Sequence, residues 1–144
     1  MLFGRRERLI RRILVVEDEP LVAFDNEHLL GEAGYEVVAT VDNLADARAV
    51  IEEQELHLVL TDIALRGDGD GTGVARIAKG RGVPVLFVTG NCPAEAQTLG
   101  VGCLAKPYND KMLKAALEAL DEVLQGKDVK KLPAGLSLYE RAAG

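Results

Sequence analysis

The 144-residue chain is 48% hydrophobic and 28% charged, with 17 Lys and Arg against 23 Asp and Glu and a formal net charge of −6. Such a chain can fill a core, so it reads as one soluble globular domain rather than a disordered segment. No run approaches the roughly 20 apolar residues needed to cross a bilayer, which predicts no membrane partner.

In chain order, residues 1–11 form a basic extension carrying Arg5, Arg6, Arg8 and Arg11, with Arg12 just after it. No signal-peptide pattern accompanies these arginines, and a cytoplasmic protein is expected. The remainder is more acidic than the total indicates, and no stacking aromatics stand among the arginines, which argues against nucleic acid. We read the extension as a solvated arm. Residues 12–125 are expected to be the folded domain, and residues 126–144 a C-terminal tail.

Within the domain, short β-branched runs alternate five times with segments of helical period, the signature of a doubly wound parallel sheet. The strand candidates are residues 13–16, 36–41, 58–61, 83–88 and 101–105. They are mostly continuous in apolar residues, as strands covered on both faces should be. Pro20 suits a first helical turn, and Leu21, Phe24, Leu29, Leu30 and Ala33 follow at core-facing spacing until Gly34. Asn43 can cap a second helix that buries Leu44, Ala47, Val50 and Ile51. The Gly and Asp cluster at 67–73 reads as a loop, ahead of a short third helix with Val74, Ile77 and Ala78. Only residues 91–100, with Pro93 and Gly100, separate the last two strands, leaving room for at most about two turns of helix. Asn109 can cap a final helix carrying Leu113, Leu117, Leu120 and Leu124, closed by Gly126. In the tail, Leu132, Leu136, Leu138 and Tyr139 are either disordered or docked on a neighbouring molecule.

Ligands of such a sheet bind beyond the carboxyl ends of its strands. Those ends place Glu17, Asp18 and Glu19 after the first strand, Asp62 after the third, Thr89 and Gly90 after the fourth, and Lys106 and Pro107 after the fifth. Three carboxylates so close oppose one another's ionisation unless a cation compensates, and hard oxygen ligands suit Mg2+. A carboxylate beside Mg2+, an ammonium and a hydroxyl has what phosphoryl transfer from an activated donor requires, namely positioning and charge neutralisation. The pattern is that of an aspartyl-phosphate site.

The ordered set Val15-Val16-Glu17-Asp18-Glu19-Pro20, Leu60-Thr61-Asp62-Ile63, Phe87-Val88-Thr89-Gly90 and Leu104-Ala105-Lys106-Pro107 resembles response-regulator receiver domains of two-component signalling. Each motif alone is weak; their joint order over about residues 12–125 makes the resemblance specific. It implies a flavodoxin-like fold with five parallel strands in the order 2-1-3-4-5. It implies Asp62 as phospho-acceptor, with Asp18, Asp62 and the Ala64 carbonyl as direct Mg2+ ligands and Glu17 a ligand through water. Thr89 and Lys106 would hold the phosphoryl group, and the peptide before Pro107 would be cis. The implied donor is a histidine kinase, a histidine phosphotransfer protein or a small acyl phosphate.

Two departures stand out. Cys103 occupies the position three before the lysine where receivers usually carry a switching aromatic, and Thr89 and Lys106 are only 17 positions apart, matching a shortened fourth helix. With Pro84, Phe87, Thr89 and Gly90 these features resemble the stand-alone FAT GUY receiver subclass.

The 67–71 segment lacks the twelfth-position Glu of a calcium loop, Lys79 standing there, and nothing in it makes a P-loop. His28 and His57 have no ligand-spaced partners and read as structural or surface residues. Cys92 and Cys103 form no Cys-x-x-Cys motif and are expected as reduced thiols.

The leading expectation is therefore a single-domain response regulator, not a turnover enzyme, that at most catalyses its own phosphorylation and slow dephosphorylation. Its output would be phosphorylation-dependent association with another protein, a homodimer among the arrangements open to it. The alternative is a receiver-fold binding module with constitutive output, the site uncoupled from the surface by Cys103 and the short fourth helix.

Overall fold

The computed structural model describes residues 7–139; Arg5 and Arg6 lie outside the described residues. The elements are β1 (Arg12–Val16), α1 (Pro20–Glu32), β2 (Glu36–Val41), α2 (Leu44–Glu53), β3 (Leu58–Thr61), α3 (Gly71–Gly80), β4 (Val85–Thr89), α4 (Ala96–Leu99), β5 (Gly102–Ala105), α5 (Asp110–Leu124) and β6 (Leu136–Leu138). Their strands form one sheet in the order β2-β1-β3-β4-β5-β6. The first five are parallel and β6 is antiparallel to β5.

Strand residues alternate between the two faces, as the period of two requires. Ile13, Val15, Leu58, Leu60, Leu86, Val88 and Leu104 face a cluster closed by Leu30 of α1 and by Leu113, Leu117 and Leu120 of α5. Leu14, Val16, Val59, Val85, Phe87 and Cys103 face the other, closed by α2, α3 and Ala96 of α4. With both faces covered, β1, β3 and β4 are buried along nearly their whole length and β2, at the sheet edge, is half-buried.

The expected caps form: Asn43 accepts from the Asp46 N–H and Asn109 from the Met112 N–H. At α3 the cap is Asp70, which accepts from the Thr72 and Gly73 N–H groups. The Gly and Asp cluster read as a loop over 67–73 thus ends at Asp70, and its last three residues are helical. Those hydrogen bonds hold the Asp70 carboxyl below its ordinary range, the Thr72 hydroxyl being the largest cause.

Four expectations need correction. The sheet has six strands rather than five, because the described part of the tail, expected to be disordered or docked on a neighbouring molecule, pairs through Leu136–Leu138 with its own domain. Gly135 turns at a φ of +81°, and a Cβ at Gly102 would lie 2.7 Å from the Ser137 carbonyl, so the missing side chain lets β6 close on β5. Second, Leu21 and Phe24 are 80% and 67% exposed; α1 buries Leu30 as expected, with Ala23 and Asn26 in place of those two. Asn26 can occupy the inner face because its Oδ1 accepts from the Tyr108 hydroxyl at 3.1 Å.

Third, the described part of the basic arm is docked. Ile10 is fully buried, the Leu9 and Ile10 N–H groups donate to the Asp121 carboxylate at 3.1 and 2.9 Å, and the Arg8 guanidinium lies 4.3 Å from the Tyr35 ring centroid. His57 receives the next turn of chain, its Nδ1 accepting from the Arg11 and Arg12 N–H groups. Fourth, Cys92 and Cys103 are joined as a disulfide rather than free, their Cα atoms 6.5 Å apart. The loop after β4 turns back over β5, which brings the two within the reach a disulfide allows.

Removing the Asp121 carboxylate leaves two backbone donors without their partner. Asp121→Ala should cost about 2–3 kcal/mol, as orphaned buried polar groups do. Urea denaturation measures it, and an unchanged midpoint would show that the arm contributes nothing.

Candidate functional site

Parallel strands all deliver their last residues to one edge, and the hydrogen bonds between strands continue just past them. The Glu17 N–H donates to Val41 O at 2.9 Å, Asp62 N–H to Val16 O at 3.0 Å and Lys106 N–H to Thr89 O at 2.8 Å. Each anchors the backbone of a chemistry-bearing residue to the neighbouring strand. The side chains therefore inherit the rigidity of the sheet.

Glu17 and Asp62 are 2% and 7% exposed. The Lys106 Nζ lies between them, donating to Asp62 Oδ2 at 2.7 Å and to Glu17 Oε1 at 3.1 Å. The other oxygens are held too: Asp62 Oδ1 accepts from the Ile63 N–H at 2.6 Å and Glu17 Oε2 from the Glu19 N–H at 3.1 Å. Burial raises the Glu17 pKa above the ordinary carboxylate value, opposed by the Glu19 N–H and Lys106 and reinforced by the Asp62 charge. Burial by itself would lower the Lys106 pKa, yet the hydrogen bonds and charges of Asp62 and Glu17 outweigh it and hold the ammonium above its usual range. Lys106 is charged at any physiological pH.

Glu17, Asp18 and Asp62 each turn an oxygen to one place, the three atoms lying within 4.8 Å of one another. All are hard anionic ligands, and only one ammonium counters the two buried carboxylates, so the donor set fits a divalent cation that keeps most of its waters. Asp18 is half-buried and Glu19 exposed, with a Glu19 oxygen 3.9 Å from Lys106. Ala64 sits exposed in the loop after β3. Thr89 ends β4 and is 8% exposed, Gly90 follows it, and the Lys106–Pro107 peptide is cis. Positions 17, 18, 62 and 106 are joined by these contacts and distances, while Thr89 is tied to the group through its carbonyl.

Two supporting residues escape a motif-based reading. Gly71, the first residue of α3, packs so closely on the Asp62 carbonyl that any Cβ would overlap it, and its N–H donates to Ile63 O at 2.7 Å. Tyr108 follows the cis peptide and ties that loop to α1 through Asn26. A glycine placed nine residues after an aspartate has no distinctive pattern, and an asparagine on an otherwise apolar helical face reads as a surface residue.

Residues 13–118 match the response regulator receiver domain family. Among curated relatives, the transcriptional regulatory protein PdtaR of Mycobacterium tuberculosis is 32% identical over 117 residues, 75% of this chain and 55% of that protein. The chain spans about half the length of the curated relatives it matches. Among solved structures, SdrG from Sphingomonas melonis Fr1 superposes with a TM-score of 0.67 at 32% identity, covering 79% of this chain and 98% of that one. The receiver domain of the sensor histidine kinase PA1611 from Pseudomonas aeruginosa PAO1, which has magnesium coordinated in its active-site cleft, superposes with a TM-score of 0.66 at 29% identity, covering 76% and 95%.

Gly71→Ala should lower stability by about 1–3 kcal/mol through the overlap with Asp62. Gly80→Ala, at the other end of α3 with open space around it, should be neutral or stabilising by up to about 1 kcal/mol. Denaturant midpoints of the two variants provide the comparison; equal values would dissociate Gly71 from the site.

Proposed function

The chain belongs to the response regulator receiver domain family, and from that premise we propose that it is a phosphorylation switch in which Asp62 accepts a phosphoryl group from a phosphohistidine. The histidine would belong to a kinase or a phosphotransfer protein, and a small acyl phosphate would serve in vitro. Output is association with another protein, and the setting is cytoplasmic.

The observation that carries this reading is the Lys106 ammonium held between Asp62 and Glu17 beside a third carboxylate. An Asp62 carboxylate oxygen attacks phosphorus as the phosphorus–nitrogen bond to the donor imidazole breaks; the bonding pair leaves with the imidazole, which retains a proton. Charge on the transferring group then moves within reach of Lys106, which is charged before the reaction and needs no proton at the time of transfer. Thr89, at the end of the adjacent strand, would donate its hydroxyl to a phosphoryl oxygen. Glu17, Asp18, Asp62 and the Ala64 carbonyl are the residues that would hold Mg2+. When bound, Mg2+ supplies neutralisation of phosphoryl oxygens.

The product carries about −2 of charge where a carboxylate stood, which pulls on Lys106 and the loops after β4 and β5. The domain acts on itself alone, with slow dephosphorylation as its return step.

Incubation with Mg2+ and acetyl phosphate, followed by intact mass, should show addition of one HPO3 to the wild type and none to Asp62→Asn. Chelating the divalent cation should abolish the adduct. No adduct on the wild type, or one that persists in Asp62→Asn, would overturn the assignment. Lys106→Ala should slow its formation by about tenfold to a hundredfold, the equivalent of one charge-assisted hydrogen bond of about 1.5–3 kcal/mol.

A further inference from the structure

The Cys92–Cys103 disulfide spans the part of the chain between two site residues. Cys92 is three residues past Thr89 and Cys103 three before Lys106, so the bond closes a ring that contains all of α4 (Ala96–Leu99). Cys103 pairs with Phe87 across β4 and β5 and is fully buried, whereas Cys92 lies in a half-buried position in the loop. One end of the bond is therefore fixed to the sheet and the other to a loop.

The backbone hydrogen bonds within that loop are local. The Ala96, Gln97, Thr98 and Gly100 N–H groups all donate to carbonyls three or four residues back. Asn91, Ala94, Glu95, Gln97 and Thr98 are exposed. Ala96 is the buried anchor, with Lys79 Nζ donating to Thr98 O at 2.7 Å from α3. Ala96 and Leu99 seat this single turn on the core, and the cross-link restrains it further, since a covalent ring removes many of the conformations open to its chain.

We propose that Cys92 and Cys103 are a thiol–disulfide exchange site, taking a small monothiol couple as co-substrate, through which redox state fixes or frees the α4 segment. The incoming thiolate attacks the sulfur of Cys92, the less buried of the two, and the electron pair of the sulfur–sulfur bond leaves on Cys103, which takes a proton. A second thiolate attacks the small-molecule sulfur of the mixed disulfide and releases Cys92, which is protonated in turn. Two monothiols are oxidised to one disulfide as the protein gains two thiols, and the reverse sequence closes the ring. Because the freed segment joins Thr89 to Lys106, redox state sets how readily those two residues adapt to a phosphoryl group; this last step rests on the assignment of Asp62 above.

The test uses the full chain equilibrated with reduced or oxidised glutathione, quenched with iodoacetamide and weighed intact. The expected result is no alkylation after oxidation and two alkylated thiols after reduction. Cys103→Ser should trap one glutathione on Cys92, and Cys92→Ser should trap none on buried Cys103. Amide exchange over residues 91–101 should be at least tenfold slower in the oxidised wild type, with α5 unchanged. Two free thiols under oxidised glutathione, or equal exchange in the two states, would overturn the proposal. Acetyl phosphate with Mg2+ should give adduct lifetimes differing severalfold between the oxidised and reduced proteins. If neither state forms an adduct the Asp62 assignment fails, while thiol titration and exchange still decide the redox site.

Discussion

One ammonium between two buried carboxylates organises this molecule. Glu17, Asp62 and Lys106 come from the ends of three different strands, and hydrogen bonds of 2.7 and 3.1 Å join them. Such a group tolerates little displacement, because burying two anions is costly unless a partner of opposite sign stands within contact distance. The strand registers, the close approach of Gly71 to Asp62 and the turn after Lys106 all serve that contact. With Asp18 beside them, three carboxylates face one ammonium, a standing preference for a cation.

The fold meets that requirement by separating tasks. The interior of the sheet is apolar on both faces, with thirteen or more core residues in each cluster, and holds none of the site's carboxylates. Two polar residues that enter the interior accept hydrogen bonds there: Asp121 from the N-terminal arm, and Asn26 Oδ1 from Tyr108. The carboxylates and the ammonium are gathered at the strand ends, where backbone bonds from the sheet hold the chain.

Much of this was legible in the sequence, because it depends on local pattern. Residues 36–41 and 58–61 form strands over those same spans, and Asn43 and Asn109 cap the helices they precede. The acidic and basic residues at the strand ends followed from the same alternation. What escaped depends on partners distant in sequence. Leu21 and Phe24 have helical spacing but face outwards, since hydrophobic period alone does not say which side of α1 meets the sheet. Strand β6 and the docked arm need the β5 edge and Asp121 to exist first. Gly71 matters only because Asp62 lies against it, and Cys92 meets Cys103 only once β5 lies beside β4. In each case the signal was tertiary.

Strand β6 has a consequence for assembly. An uncovered β5 would present a row of unpaired N–H and C=O groups, which invites another chain to add a strand. Here the Ala105 N–H is taken by Gly135 O and the Val101 carbonyl by Tyr139 N–H, so the domain supplies its own neighbour along that side. Edge-to-edge pairing at β5 is closed to other polypeptides, and the edge left on that side is the three-residue β6, too short to template a long added strand.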